Sequence, residues 1–215
     1  MHVASKSART RDRGQRGKGF SRETNLRRAA DTREERRSVL ILTNGSRTEV
    51  DYFKALRHET WITADKVTPR FEAGAPAAVV KRAAEIRADN AYDEAWVVCD
   101  VDEFDVQRAI TQAQKDDYVE LALSQPCFEV WLILHLKPGC PWFANATKVG
   151  EHLEKILPHW DKAAIRFSDF SAGVLNARDH AKGLGEPPDA NPSTAVWRVI
   201  ESLRAAPDLP DDAPR

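Results

Sequence analysis

From residue 38 onward, hydrophobic and polar positions fall into short apolar runs that alternate with longer amphipathic stretches. Val39-Leu40-Ile41-Leu42 and Ala95-Trp96-Val97-Val98-Cys99 are apolar at every position. That is the pattern of a strand buried on both faces, as in a parallel sheet covered by helices. Val67–Phe71, weakened by Pro69, and Tyr118–Leu123 predict two more strands. The stretches between them read as helices. Thr48–His58 lines up Tyr52, Phe53 and Leu56, with Thr48 placed to cap the first turn. A second helix opens on Pro76, runs to about Asp89, and lines up Val79, Val80, Ala83 and Ile86. A third, over 105–115, carries Val106, Ala109, Ile110 and Ala113. The β-α-β-α-β-α-β series predicts an open, mostly parallel α/β sheet with helices on both faces.

The second half of the chain has a different rhythm. Pro126–Leu136 is an apolar helix with only Glu129 and His135 as polar members, and further helices are expected at 147–157, 169–184 and 193–205. Lys137-Pro138-Gly139-Cys140-Pro141 breaks the chain between a core over 38–136 and a helical extension over 137–206 packed on it. The acidic, proline-rich end, 207–215, reads as a flexible tail. There is no internal repeat.

Composition narrows the class. With 42% hydrophobic residues the chain can build a packed core, and it has no apolar run of the roughly 18 residues a membrane span needs. Met1-His2-Val3-Ala4-Ser5-Lys6 leads into arginines and not into an apolar signal-peptide core, so a cytoplasmic protein without a membrane partner is expected. Cys99, Cys127 and Cys140 are odd in number and widely spaced, which suits neither a zinc site nor a disulfide framework. Cys99 and Cys127 read as buried reduced thiols, and Cys127 has no activating partner that would make it a nucleophile. Of the six tryptophans, Trp131 and Trp142 belong either to the core or to an interface, with burial the default.

The net charge of −1 hides an asymmetry. Residues 1–37 hold twelve lysines and arginines against five acidic residues, and the rest of the chain carries a net charge of −8. The first segment also lacks apolar residues, so a disordered basic arm over 1–37 is expected. Such an arm can grip phosphates by releasing counterions, or it can dock on an acidic surface.

Candidate chemistry gathers where strands end. Asp100-Val101-Asp102 follows the most buried strand, at the sheet edge where open α/β folds place ligands. Carboxylates at that spacing repel unless a cation or basic group neutralises them, and Mg²⁺ (or Mn²⁺) is a suitable hard cation. Glu103 and Asp105 add to the cluster or cap the following helix. Thr43-Asn44-Gly45-Ser46-Arg47-Thr48-Glu49 follows the first strand. Gly45 permits close backbone approach, amides at the helix start can face phosphate, Arg47 can stabilise negative charge, and Glu49 can point toward the metal or away from it. Glu129 on its apolar helix is a further candidate, because burying an ionised glutamate is costly without a partner. His135 is expected to be satisfied locally. Ser193 and Thr194 of Asn191-Pro192-Ser193-Thr194 are expected to start the last helix, as a cap or as phosphate contacts.

Together Val39–Phe53, Tyr92–Phe104, Leu123–His135 and Asn191–Thr194 resemble the RloB-like family of bacterial defence proteins, whose core resembles the Toprim fold. The basic lead-in before the first strand resembles that family too. The resemblance implies a metal site with Asp100 and Asp102 as ligands, phosphoryl-transfer chemistry on nucleic acid (RNA, tRNA or DNA), and a partner ATPase of SMC or ABC type in abortive infection. The family pattern after the first strand is Thr/Cys-Glu-Gly, whereas this chain has Thr43-Asn44-Gly45. Asn44 offers a carbonyl oxygen but no charge. Two functions follow from this. The first is an Mg²⁺-dependent Toprim-like nuclease using Asp100, Asp102, Glu129 or Glu49, and Arg47. The second is a nucleic-acid-binding or regulatory subunit of the ATPase that has lost catalysis. A small-molecule phosphotransferase or nucleotide-binding protein using the same edge is a third, weaker class.

Overall fold

Strand β1 (Ser38–Thr43) lies between β2 (Lys66–Phe71) and β3 (Glu94–Asp100), and β3 is flanked in turn by β4 (Val119–Gln125). These four strands are parallel. The computed structural model describes residues 37–101 and 106–204, all within one unit of the chain. The segments expected to be a disordered arm and a flexible tail fall almost wholly outside the described residues, as do Asp102, Glu103 and Asp105.

Each interior strand feeds two cores because its side chains alternate in direction. Val39, Ile41, Trp96, Val98 and Ala122 face one side, while Leu40, Leu42, Ala95, Val97 and Cys99 face the other. The second side is covered by α2 (Pro76–Asn90), through Val79, Val80, Ala83 and Ile86, and by α3 (Gln107–Ala113), through Ala109. The first side is covered by α1 (Thr48–Leu56) and α4 (Glu129–Leu136). Around α4 lie α5 (Ala146–Ile156), α6 (Val174–Lys182) and α7 (Val196–Arg204). Pro69 is accommodated because β2 is an edge strand and owes no N–H to an outer neighbour.

The helix α4 is buried over seven consecutive residues, Glu129 to His135, which is why its sequence is apolar all round. Its two polar members are both partnered. His135 Nδ1 lies 2.8 Å from the Trp131 carbonyl, which can only accept, so Nδ1 carries the proton. Nε2 then accepts from the Tyr52 hydroxyl at 3.0 Å. Burial lowers the His135 pKa to about 4 and raises that of Tyr52, so this bond joins two neutral groups at physiological pH. His135 is thus satisfied within the fold, and its bond ties α1 to α4. At the opposite end of the sheet, Arg37 donates to the Ser202 carbonyl and to Glu94 at 2.5 and 2.7 Å, fastening the start of β1 to α7 and β3.

Three expectations are corrected. Ser193 and Thr194 lie ahead of the last helix and not in its first turn, although Thr194 Oγ1 accepts the N–H of Val196, its first residue, at 3.3 Å. They form a short strand, β5, antiparallel to the end of β4, and α7 starts at Val196. Their hydroxyls are consumed there: Ser193 donates to the Ala190 carbonyl at 2.6 Å, and Thr194 bonds the Ser124 hydroxyl at 2.8 Å. The helix expected over 169–184 is shorter, because two 3-10 turns, Phe167–Asp169 and Ser171–Gly173, lead into α6. Trp131 is fully buried, but Trp142 is 68% exposed. Cys99 and Cys127 are buried free thiols, as expected.

Gly173, in the turn that leads into α6, packs closely against the end of α4. A Cβ there would sit 2.4 Å from the His135 carbonyl oxygen, a backbone atom that cannot swing away. Gly173→Ala is therefore expected to destabilise the protein by about 1–3 kcal/mol through overpacking. Gly150→Ala, inside α5 with nothing within 4 Å of the new methyl, is expected to stabilise it by about 0.5–1 kcal/mol. Urea unfolding of the two variants checks both signs.

Candidate functional site

Parallel pairing brings the carboxyl ends of β1, β2 and β3 to one edge. A cleft of about 690 Å³ opens there. Its walls come from the turn Asn44–Arg47, the first turn of α1, Phe71 at the end of β2 with Ala73 and Gly74 after it, Asp100 at the tip of β3, and Lys162 and Ala163 from the segment after α5.

The Asp100 carboxylate follows Trp96 and Val98 on the same strand face, which turns it toward α4. Its Oδ1 accepts the Phe128 N–H at 2.8 Å, just ahead of that helix. Glu49, in the first turn of α1, is buried and folds back over Gly45. A Cβ on Gly45 would lie 2.0 Å from the Glu49 carboxylate, so glycine is what allows the side chain to lie across the turn. Glu129 is buried as well, with its side chain 4% exposed, and its Oε1 pairs with Lys162 Nζ at 2.8 Å. Lys162 itself is 67% exposed and lines the cleft. Its backbone carbonyl accepts the Thr48 hydroxyl at 2.9 Å, which fixes this segment to the start of α1. Thr48 is therefore a tether and not the cap expected of it: Arg47 occupies the cap position, with no side-chain cap bond.

The three carboxylates sense one another. Burial raises the pKa of Asp100 well above the usual carboxylate range, and repulsion from Glu49 and Glu129 adds to the shift; the Phe128 N–H and Lys162 oppose it. Glu49 is raised in the same direction by burial, with repulsion from Glu129 adding to it. Lys162 is raised, because attraction to Glu129, with a hydrogen bond to the same carboxylate, outweighs its partial desolvation. Two carboxylates, Glu49 and Asp100, and two cations, Arg47 and Lys162, line the cleft, and Lys162 also pairs with Glu129 behind it.

Asn44 sits at the same edge. Its N–H donates to the Val98 carbonyl at 3.3 Å, but its side-chain oxygen is buried without a hydrogen-bond partner. An orphaned buried acceptor is rare in folded proteins and calls for an explanation. Ser46 and Arg47 are exposed on the turn, and Arg47 makes no ion pair among the described residues.

The fold thus brings Asn44, Gly45, Ser46, Arg47, Glu49 and Asp100 together, with Glu129 joined to them through Lys162. It does not bring Ser193 or Thr194 to the cleft, because both are fully buried in β5. Asp102 lies outside the described residues. Cys127 is buried and its thiol is pushed up by burial, so it is not poised as a nucleophile. Lys162 was not foreseen from sequence. It lies in a segment without hydrophobic periodicity, and only its pairing with Glu129 marks it.

Among the described residues, no group of three or more His, Cys, Asp or Glu side chains is arranged to hold a metal ion. No helix among them is long and apolar enough to cross a membrane. An alternating β/α chain with a mostly parallel sheet and flanking helices is the architecture of a Toprim-like fold. The family model for RloB-like proteins matches residues 39–203, and the chain belongs to that family. No curated protein and no solved structure matches it.

The raised pKa of Asp100 has a consequence for stability. A carboxyl with a higher pKa in the folded than in the unfolded state favours folding below its unfolded-state value, and loses that contribution as pH rises through the folded value. Asp100→Asn keeps an oxygen for the Phe128 N–H and removes the charge. It is expected to melt higher than the parent at pH 8 and to show less loss of stability between pH 5 and pH 8. Thermal melts at the two pH values measure this.

Proposed function

We propose that this RloB-like protein is a nucleic-acid-binding or regulatory subunit that works with a partner ATPase of SMC or ABC type in cytoplasmic anti-phage defence, and that it does not itself cut the phosphate chain. The observation that carries this reading is the Lys162–Glu129 ion pair in a cleft whose first-strand turn has Asn44 in place of a carboxylate. Charge in the cleft is balanced from within the chain. Among the described residues the donors do not form a ready divalent-cation site: one Asp100 oxygen holds the Phe128 N–H, Glu129 is held by Lys162, and Glu49 lies across Gly45. Arg47 and Lys162 offer positive charge to a phosphate at the cleft mouth, and the amides that start α1 add their dipoles. The basic residues of 1–37 would draw in the phosphate chain.

A second reading is favoured by the meeting of Asp100 and Glu49 at one cleft and by the orphaned Asn44 oxygen. It is an Mg²⁺- or Mn²⁺-dependent nuclease with Asp100, Asp102 and Glu129 or Glu49 as ligands and Arg47 on the scissile phosphate. Such a cation would supply Lewis-acid stabilisation of negative charge.

The two readings separate in one experiment. The purified chain is incubated with mixed RNA and DNA and Mg²⁺ or Mn²⁺, with and without the ATPase, and binding is followed in parallel in EDTA. The first reading expects binding in EDTA that weakens steeply with salt, no cleavage, and a gain of cleavage in Asn44→Glu. Cleavage by the parent chain that is lost in Asp100→Ala/Asp102→Ala overturns it in favour of the second.

A further inference from the structure

We propose that Phe71 is a stacking platform for an unpaired nucleobase, in the same cleft where Arg47 and Lys162 face phosphate. The proposal rests on the nucleic-acid reading above and names the form of nucleic acid that the cleft accepts: a single strand.

Three large apolar side chains are exposed among the described residues: Phe71, Tyr118 and Trp142. Tyr118 has a partner, since the Arg87 guanidinium lies 4.7 Å from its ring centre. Trp142 does not line the cleft. Phe71 is 44% exposed and does line it. Single exposed apolar residues are ordinary on convex surfaces. An aromatic ring exposed inside a concave cleft that also carries two cations is a different case.

The sheet fixes where that ring stands. Phe71 is the last residue of β2 and is in register with Thr43, the last residue of β1. It therefore lies beside the turn that carries Asn44, Ser46 and Arg47. Val67 belongs to the core on the α1 side, and strand alternation puts Phe71 on the same face as Val67. Asp100 shares that face through Trp96 and Val98. The wall continues through Ala73 and Gly74.

A nucleotide unit in a chain presents what this cleft would bind: a flat π face for Phe71 and an anionic phosphate for Arg47 and Lys162. An acidic peptide would satisfy the cations but leave the ring bare. In a duplex the base faces are already stacked on their neighbours, so a single strand or an extruded base is required.

The test uses the full chain and fluorescence anisotropy in EDTA. The probes are a labelled single-stranded oligonucleotide, the same strand with abasic positions, and a duplex, with a mononucleotide as competitor. Phe71→Ala is expected to weaken single-strand binding by about tenfold or more, the size of one base stack. It should leave binding of the abasic strand and of the duplex unchanged, and Phe71→Trp should retain the parent affinity. Equal affinity of parent and Phe71→Ala for the intact strand overturns the stacking role, even if both bind through the basic residues of 1–37. A parent chain that binds abasic and intact strands alike overturns it too. A mononucleotide that competes as tightly as the strand overturns the polymeric ligand. If no nucleic acid binds at all, the nucleic-acid reading falls and the platform falls with it.

Discussion

Parallel pairing of β1 on both its edges is the constraint from which the rest of the molecule follows. A strand hydrogen-bonded in parallel to two neighbours needs crossover helices, and those helices bury both sheet faces. The two strands at the centre, β1 and β3, are then apolar through most of their length, and the residues that end the parallel strands fall at a common edge. Thr43, Phe71 and Asp100 stand together there because the strands that carry them all run the same way. The chemistry of the cleft is thus a product of strand direction, and the residues that supply it are scattered widely along the chain.

At that edge the energetics are unfavourable to folding. Burial, with neighbouring carboxylate adding to it, makes Asp100 and Glu49 costly to ionise, and Lys162 offsets only part of that cost. The partnerless Asn44 oxygen adds a second cost at the same edge. The tether from Thr48 to the Lys162 carbonyl holds the compensating cation in place, in a segment whose Leu157, Trp160 and Ile165 pack against the core.

Much of this was legible in the sequence, and the reasons differ by element. The strands β1 and β3 could be read because every residue in them is apolar, and α1 and α2 because their buried positions recur at helical spacing. The edge position of β2 was hinted at by Pro69. β5 could not be read, because two polar residues have no period and their burial depends on pairing with Ser124 and Gln125. The site was half legible. Asp100, Glu49, Arg47 and the Asn44-Gly45 turn stood out because strand ends are where such folds bind ligands. Lys162 did not, because the bond that fixes its segment spans 114 residues and leaves no local trace. Phe71 was visible only as the end of a strand, since exposure of its ring depends on how the neighbouring loops lie.

The clamp at Arg37 bears on the mechanics of the whole protein. It fastens the first described residue to Glu94 and Ser202 at the end of β1 away from the cleft. A pull applied at Arg37 acts along the axis of β1. Parallel neighbours on both sides resist such a pull through all their cross-strand hydrogen bonds at once, as a lap joint does, whereas a force across the strands would open them one by one.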